Sequence, residues 1–167
     1  MALTKLNSAS VIDRLPTGSV IQTVLKQFAT GGNSTSSSYV STGFFGQITP
    51  ILSNSKILVI PSFTTTHIGN NAHAIFTMYR DITSSTDLNT AISGGTDLTT
   101  VSGGFGMGSN YENGGGNNNN MTTSVLNLAD TTNQITYTIA YKTYNGGTAY
   151  VLPNSNYASF LMQEIKQ

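Results

Sequence analysis

Cysteine and tryptophan are absent from the 167 residues, and charge is scarce: seven basic and seven acidic side chains make up 8% of the chain and cancel to zero. Without cysteine there is no disulfide, no thiolate zinc site and no thiol nucleophile. Cations this few and this scattered form no stripe that neutralises phosphates, which excludes nucleic acid as a partner. The longest apolar run, Ile57 to Pro61, is far short of the ~20 residues of a spanning helix, so no membrane partner is expected. Met1-Ala-Leu-Thr-Lys has no apolar core of a secretory signal, and the chain is expected to stay in the cytoplasm where it is made. What is abundant is polar and uncharged: 19 Ser, 25 Thr, 17 Asn and 17 Gly. Such a surface, with no net charge to repel a second copy, favours association.

Apolar residues recur with period two, and no long segment places them at i, i+3, i+4, i+7. Strands are expected over 18–28, 39–49, 55–66, 72–82, 122–129, 134–144, 147–152 and 157–166. Pro61 removes a ladder donor from the third and predicts a bulge or an edge there. Asn145-Gly146 suits a type I′ turn, which would make 147–152 the hairpin partner of 134–144. Residues 83–120 interrupt the pattern, with one helical turn expected from Ser84 to Leu88 and a short strand from Leu98 to Val101. Within them 103–120 is low in complexity and reads as a mobile Gly/Asn-rich loop. Strands separated by turns, with no helical crossover, predict an all-β fold: an antiparallel β-sandwich, a jelly roll of about eight strands. The domain organisation is then an N-terminal docking arm at 1–17, ended by Pro16, and a β domain at 18–167.

Strands 55–66, 72–82 and 157–166 are apolar on both faces, whereas a sandwich strand needs only one such face. The surplus predicts that one sheet packs against copies of itself around a three-fold axis, as a homotrimer. Tyrosine suits a half-buried contact of this kind, and Tyr137, Tyr141 and Tyr157 are the candidates for self-association. In the arm, Leu3, Val11, Ile12 and Leu15 are candidates for docking on a neighbour, with about 1.5–3 kcal/mol available per buried Leu or Ile.

Chemistry is harder to find. No G-x-S-x-G elbow occurs, and a Ser/His/Asp set drawn from His67, His73 and Asp81 is what chance supplies among nineteen serines. His67 and His73 flank a turn but have no carboxylate beside them, which makes a poor metal site. Gly104-Phe-Gly-Met-Gly lacks the Lys of a phosphate-binding loop, and Arg80-Asp81 reads as a local contact. No enzymatic activity, no cofactor and no metal are expected. Asn110, Tyr111 and Asn113 offer amides beside a ring, a combination that suits recognition of a saccharide from the 103–120 loop.

The succession GSVIQTV (Gly18 to Val24), YVSTGFFGQITP (Tyr39 to Pro50), SNSKILVIPSF (Ser53 to Phe63) and AIFTMYRDI (Ala74 to Ile82) resembles the order of segments in bacteriophage virion structural proteins. The closing YASFLMQEI (Tyr157 to Ile165) is similar to the last strand of trimeric jelly-roll heads of the tumour-necrosis-factor and complement C1q type. The resemblance covers about residues 16–166. It implies a non-enzymatic homotrimer in the virion, assembled in the host cytoplasm. Two roles follow from it: a capsid decoration (cement) protein bound to the major capsid protein, or a tail-fibre tip, joined to a tail component, that recognises a host surface glycan or protein. The chain shows no shaft repeat or coiled-coil heptads, which favours decoration.

Overall fold

The computed structural model describes residues 2–3, 9–69, 72–82, 88–99, 108–112, 118–152 and 157–167. In chain order the elements are β1 (Ala2–Leu3), α1 (Ala9–Arg14), β2 (Val20–Phe28), β3 (Gly32–Ser34), β4 (Val40–Ile48), β5 (Lys56–Ile68) and β6 (Ala72–Asp81). They continue with α2 (Leu88–Gly94), β7 (Thr96–Asp97), β8 (Gly108–Glu112), β9 (Asn119–Thr122), β10 (Val125–Leu128), β11 (Ile135–Tyr144), β12 (Thr148–Val151) and β13 (Ala158–Ile165). Every described ladder is antiparallel.

Several neighbours in sequence are two halves of one rung. β2 and β3 both lie along the line of β13 and β12, β9 and β10 share one side of β5, and β7 and β8 share one side of β6. Merged in this way, eight rungs remain besides β1. The first pairs with the last (β2/β3 with β12/β13), the second with the seventh (β4 with β11), the third with the sixth (β5 with β9/β10) and the fourth with the fifth (β6 with β7/β8). That nested wrap is the jelly roll. The first sheet runs β2/β3, β12/β13, β5, β9/β10, with β1 on the outer edge of β2; the second runs β4, β11, β6, β7/β8.

Alternation on each strand turns one face inward. Ile57, Val59 and Phe63 of β5 and Phe160 and Met162 of β13 meet Phe44 and Ile48 of β4, Phe76 and Met78 of β6, and Ile135, Tyr137, Ile139 and Tyr141 of β11 in one core. Rings step through it: Phe28 to Phe44 at 5.3 Å, Phe44 to Phe63 at 6.2 Å, Phe63 to Phe76 at 5.4 Å and Phe76 to Tyr141 at 6.2 Å. Gly46 of β4 makes room for the facing sheet, because a Cβ there would stand 2.6 Å from the Met162 methyl. Pro61 is in the middle of a central strand. Its missing donor falls where the neighbouring rung breaks, between Thr122 opposite Ser62 and Val125 opposite Val59.

Four expectations change. Asn145, Gly146 and Gly147 do take positive φ (62°, 84° and 82°), but they carry the chain from the second sheet to the first; 134–144 and 147–152 are not a hairpin, since β11 pairs with β4 and β6, and β12 with β5 and β3. Period two tells that a segment is a strand and is silent on which strand it joins. Second, the 103–120 loop contains β8, paired with β6, and β9, paired with β5, because backbone donors at two sheet edges accept even a glycine- and asparagine-rich partner. Third, helix occurs at Leu88–Gly94 and strand at Thr96–Asp97, with Leu98 and Thr99 not in a strand; residues 84–87 and 100–101 lie outside the described residues. Fourth, the 1–17 arm is attached to its own domain: β1 pairs with β2, and the Lys166 ammonium donates to the carbonyls of Ile12 (2.9 Å), Asp13 (2.8 Å) and Leu15 (2.8 Å) at the end of α1.

One buried charge fixes the end of the sandwich. Glu164 on β13 is fully buried, and its carboxylate accepts from the backbone N–H of Ile51 and Leu52, each at 2.9 Å, and from the Ser55 hydroxyl at 2.8 Å. The Gln22 amide donates to it as well, at 3.1 Å. Charge-assisted bonds of this kind replace the water a buried carboxylate loses.

Candidate functional site

The outer face of the second sheet is covered by its own chain. α2 packs on β4, β6 and β11, and Ile75, Thr77, Thr136, Thr138 and Ala140, which alternate outward from the core, are all buried. The apolar second face of β6 therefore needs no second copy. The outer face of the first sheet is different. Register partners share a face, which places Leu25, Leu161 and Ile60 in one row, Thr23, Gln163, Leu58 and Leu126 in the next, and Val20, Ile165, Lys56 and Leu128 in a third. Leu25 is 45% exposed, Leu126 52%, Val20 45% and Leu128 48%, and the others are half-buried.

Composition changes sharply along this face. Beyond the leucine rows come Gln27, Ser159, Ser62 and Thr122, with the Thr122 hydroxyl donating to Ser62 at 3.0 Å and the Thr64 hydroxyl to Asn120 at 2.9 Å. Half of the face is hydroxyl and amide, suited to water. The other half is mostly aliphatic, with Thr23 and Gln163 as uncharged polar members and Lys56 as the one charged member of its three rows. A contiguous exposed apolar area of this kind marks an interaction surface.

The sequence-predicted sites fall elsewhere. Tyr137 and Tyr141 are core residues, 0% and 3% exposed, so neither ring is available to another copy. The reason is direction: on β11 both face inward, where the Tyr137 hydroxyl donates to Asn127 across the core at 3.0 Å and Tyr141 stacks on Phe76. Burial raises both phenols above the ordinary tyrosine range; at Tyr137 the Asn127 hydrogen bond and Arg80 offset part of the rise. Tyr157 is 76% exposed and stands on the surface. Ile12 is buried against its own domain and so cannot dock elsewhere, Leu15 is half-buried and Val11 is exposed. Leu3 is the register partner of Thr23 on the edge strand β1. Asn110 and Tyr111 are strand positions of β8, opposite Ala74 and His73, and Asn113 lies outside the described residues.

His67 is buried on β5, and His73 stands beside the Tyr144 ring on the second sheet. Among the described residues no group of three or more His, Asp or Glu comes together. No described helix is long and apolar enough to cross a membrane. Arg80 donates to the Ala129 carbonyl.

No protein-family model matches the chain, and no curated protein is similar to it. Among solved structures it is similar to a chain from the structure of infectious bursal disease virus Gx strain, at 11% identity and a TM-score of 0.44. The match covers 88% of this chain and 37% of that one, so this chain spans little more than a third of its length.

Proposed function

We propose that this protein is a non-enzymatic structural component of a virion, a capsid decoration protein that assembles as a homotrimer through the aliphatic half of its first sheet. The observation that carries the reading is the exposed leucine rows of β2, β13, β5 and β10. The occupant of that surface is a second copy of the chain. A charged partner would strand its charges against a face that offers Lys56 and no carboxylate, whereas the same mostly aliphatic face of another copy complements it. The zero net charge of the chain removes the repulsion that would oppose such contact.

The virion role is supported by the resemblance of segments 18–24, 39–50, 53–63 and 74–82 to phage structural proteins, and by the nested wrap, an architecture that viral capsid domains share with lectins and cupins. A tail-fibre tip is the competing location. Adding the purified protein back to particles that lack it separates the two: decoration restores resistance of the shell to heat or chelator, and a fibre tip restores adsorption to host cells.

A further inference from the structure

On the outer side of the second sheet, away from the leucine rows, the serine-rich segment before β4 and the end of α2 border an open cleft of about 620 Å³. Ser37, Ser38, Tyr39, Tyr79, Asp97 and Lys142 line it. The rings of Tyr39 and Tyr79 are 6.3 Å apart and meet edge to face, and the Lys142 ammonium is 4.5 Å from the Tyr39 centroid. Asp97 is held in place: its Oδ1 accepts from the Thr77 hydroxyl at 2.5 Å and from the Thr99 N–H at 3.0 Å. The serine segment is held too, by Thr143 N–H donating to Ser36 O at 2.7 Å and by Ser36 Oγ donating to Ser38 O at 2.7 Å.

We infer that this cleft binds a neutral saccharide. Sugars offer C–H faces to aromatic rings and hydroxyls that both donate and accept, and the cleft pairs two tyrosine rings with a fixed carboxylate acceptor, an ammonium donor and serine hydroxyls. The wall carries one anion and one cation, which matches a ligand without charge; a phosphate or uronate would face Asp97. Ile92 is the one aliphatic side chain in the lining, too little apolar surface to anchor a peptide side chain. Burial and the neighbouring Asp97, to which the Tyr79 hydroxyl donates a hydrogen bond, raise the Tyr79 phenol. Because the cleft and the leucine rows are on different sheets, saccharide binding does not depend on the assembly reading.

The test is saturation-transfer difference NMR on the full chain with neutral hexose and N-acetylhexosamine oligosaccharides, with uronic-acid oligosaccharides alongside. Transfer to a neutral sugar is expected in the wild type and in Tyr157→Ala, and at least tenfold weaker binding in Tyr39→Ala and in Lys142→Met. Should Tyr39→Ala lose its dispersed proton spectrum, Lys142→Met decides alone. No transfer to any neutral sugar, transfer to uronic acids only, or full binding by a folded variant overturns the assignment.

Discussion

Leu25 on β2 and Leu161 on β13 are register partners on the outer face of the first sheet, Leu25 45% exposed and Leu161 half-buried. A monomer would leave this pair and the rows beneath it against water, where each Å² of apolar surface left uncovered forgoes roughly 25 cal/mol. Assembly through these rows is the economical arrangement for the fold.

Tyr141 was the natural candidate for a contact residue from sequence, and its burial reverses the expected result of mutating it. Tyr141→Asp is predicted to unfold the domain rather than split an oligomer, because an unpaired carboxylate in the core costs several kcal/mol. Denaturant melts check this: the variant should lose its cooperative transition or be recovered only insoluble, and a folded, dissociated subunit would contradict the placement.

Removing the Glu164 carboxylate should loosen the segment between β4 and β5. Glu164→Ala leaves the Ile51 and Leu52 N–H groups without their acceptor, at about 1–3 kcal/mol for each group left unpaired, while the Ser55 hydroxyl keeps the Leu52 carbonyl at 2.7 Å. We expect a fall in unfolding free energy of about 3 kcal/mol with unchanged m-value, and a smaller fall for Glu164→Gln, which keeps an acceptor oxygen.

Lys166 is the tie between the last residues and the N-terminal segment. In Lys166→Met the carbonyls of Ile12, Asp13 and Leu15 lose a shared donor at a helix C-terminus, a position where a cation contributes about 0.3–1 kcal/mol. Faster amide hydrogen exchange confined to residues 11–15, and faster tryptic cleavage after Arg14, are the expected readouts.

Alkaline pH should act through the buried phenols. Burial raises the folded pKa values of Tyr137 and Tyr141 above the ordinary tyrosine value of about 10, so the protonated form is favoured in the fold. The stability linked to them is fully present below the unfolded pKa and is lost as pH rises from there through the raised folded values. Unfolding free energy should therefore be flat in this respect up to about pH 9 and fall above pH 10, and Tyr137→Phe should fall less steeply.

Much of the fold was legible because period two is written plainly into β2, β4, β5, β6, β11 and β13, and their expected bounds agree with the observed ones to within a few residues. Two kinds of information were not. Pairing depends on contacts far apart in sequence, so the Asn145-Gly146 signal marked a reversal of direction without telling that it crosses between sheets. Facing was inverted at β10: in Val125-Leu-Asn-Leu the leucines point to solvent, while Asn127 turns inward with Val125 to receive the Tyr137 hydroxyl. The candidate surface was hidden for that reason. An apolar surplus was visible on 55–66, 72–82 and 157–166, and β5 and β13 do carry part of it on the outer face, but the second face of β6 is covered by α2, and two of the tyrosines chosen as contacts, Tyr137 and Tyr141, fill the core. Its most exposed members, Leu25, Leu126 and Leu128, lie on strands whose second face was not singled out from sequence, and alternation alone does not say which face of a strand meets water.

Sedimentation equilibrium of the wild type beside the Leu25→Asp/Leu126→Asp double variant tests the central claim most directly. Both leucines are on the surface, so the variant keeps its fold while placing two charges in the contact. The account predicts three times the 17.7 kDa chain mass for the wild type and a single-chain mass for the variant. A wild type that sediments as one chain at tens of micromolar, or a variant that keeps the assembled mass, would contradict it.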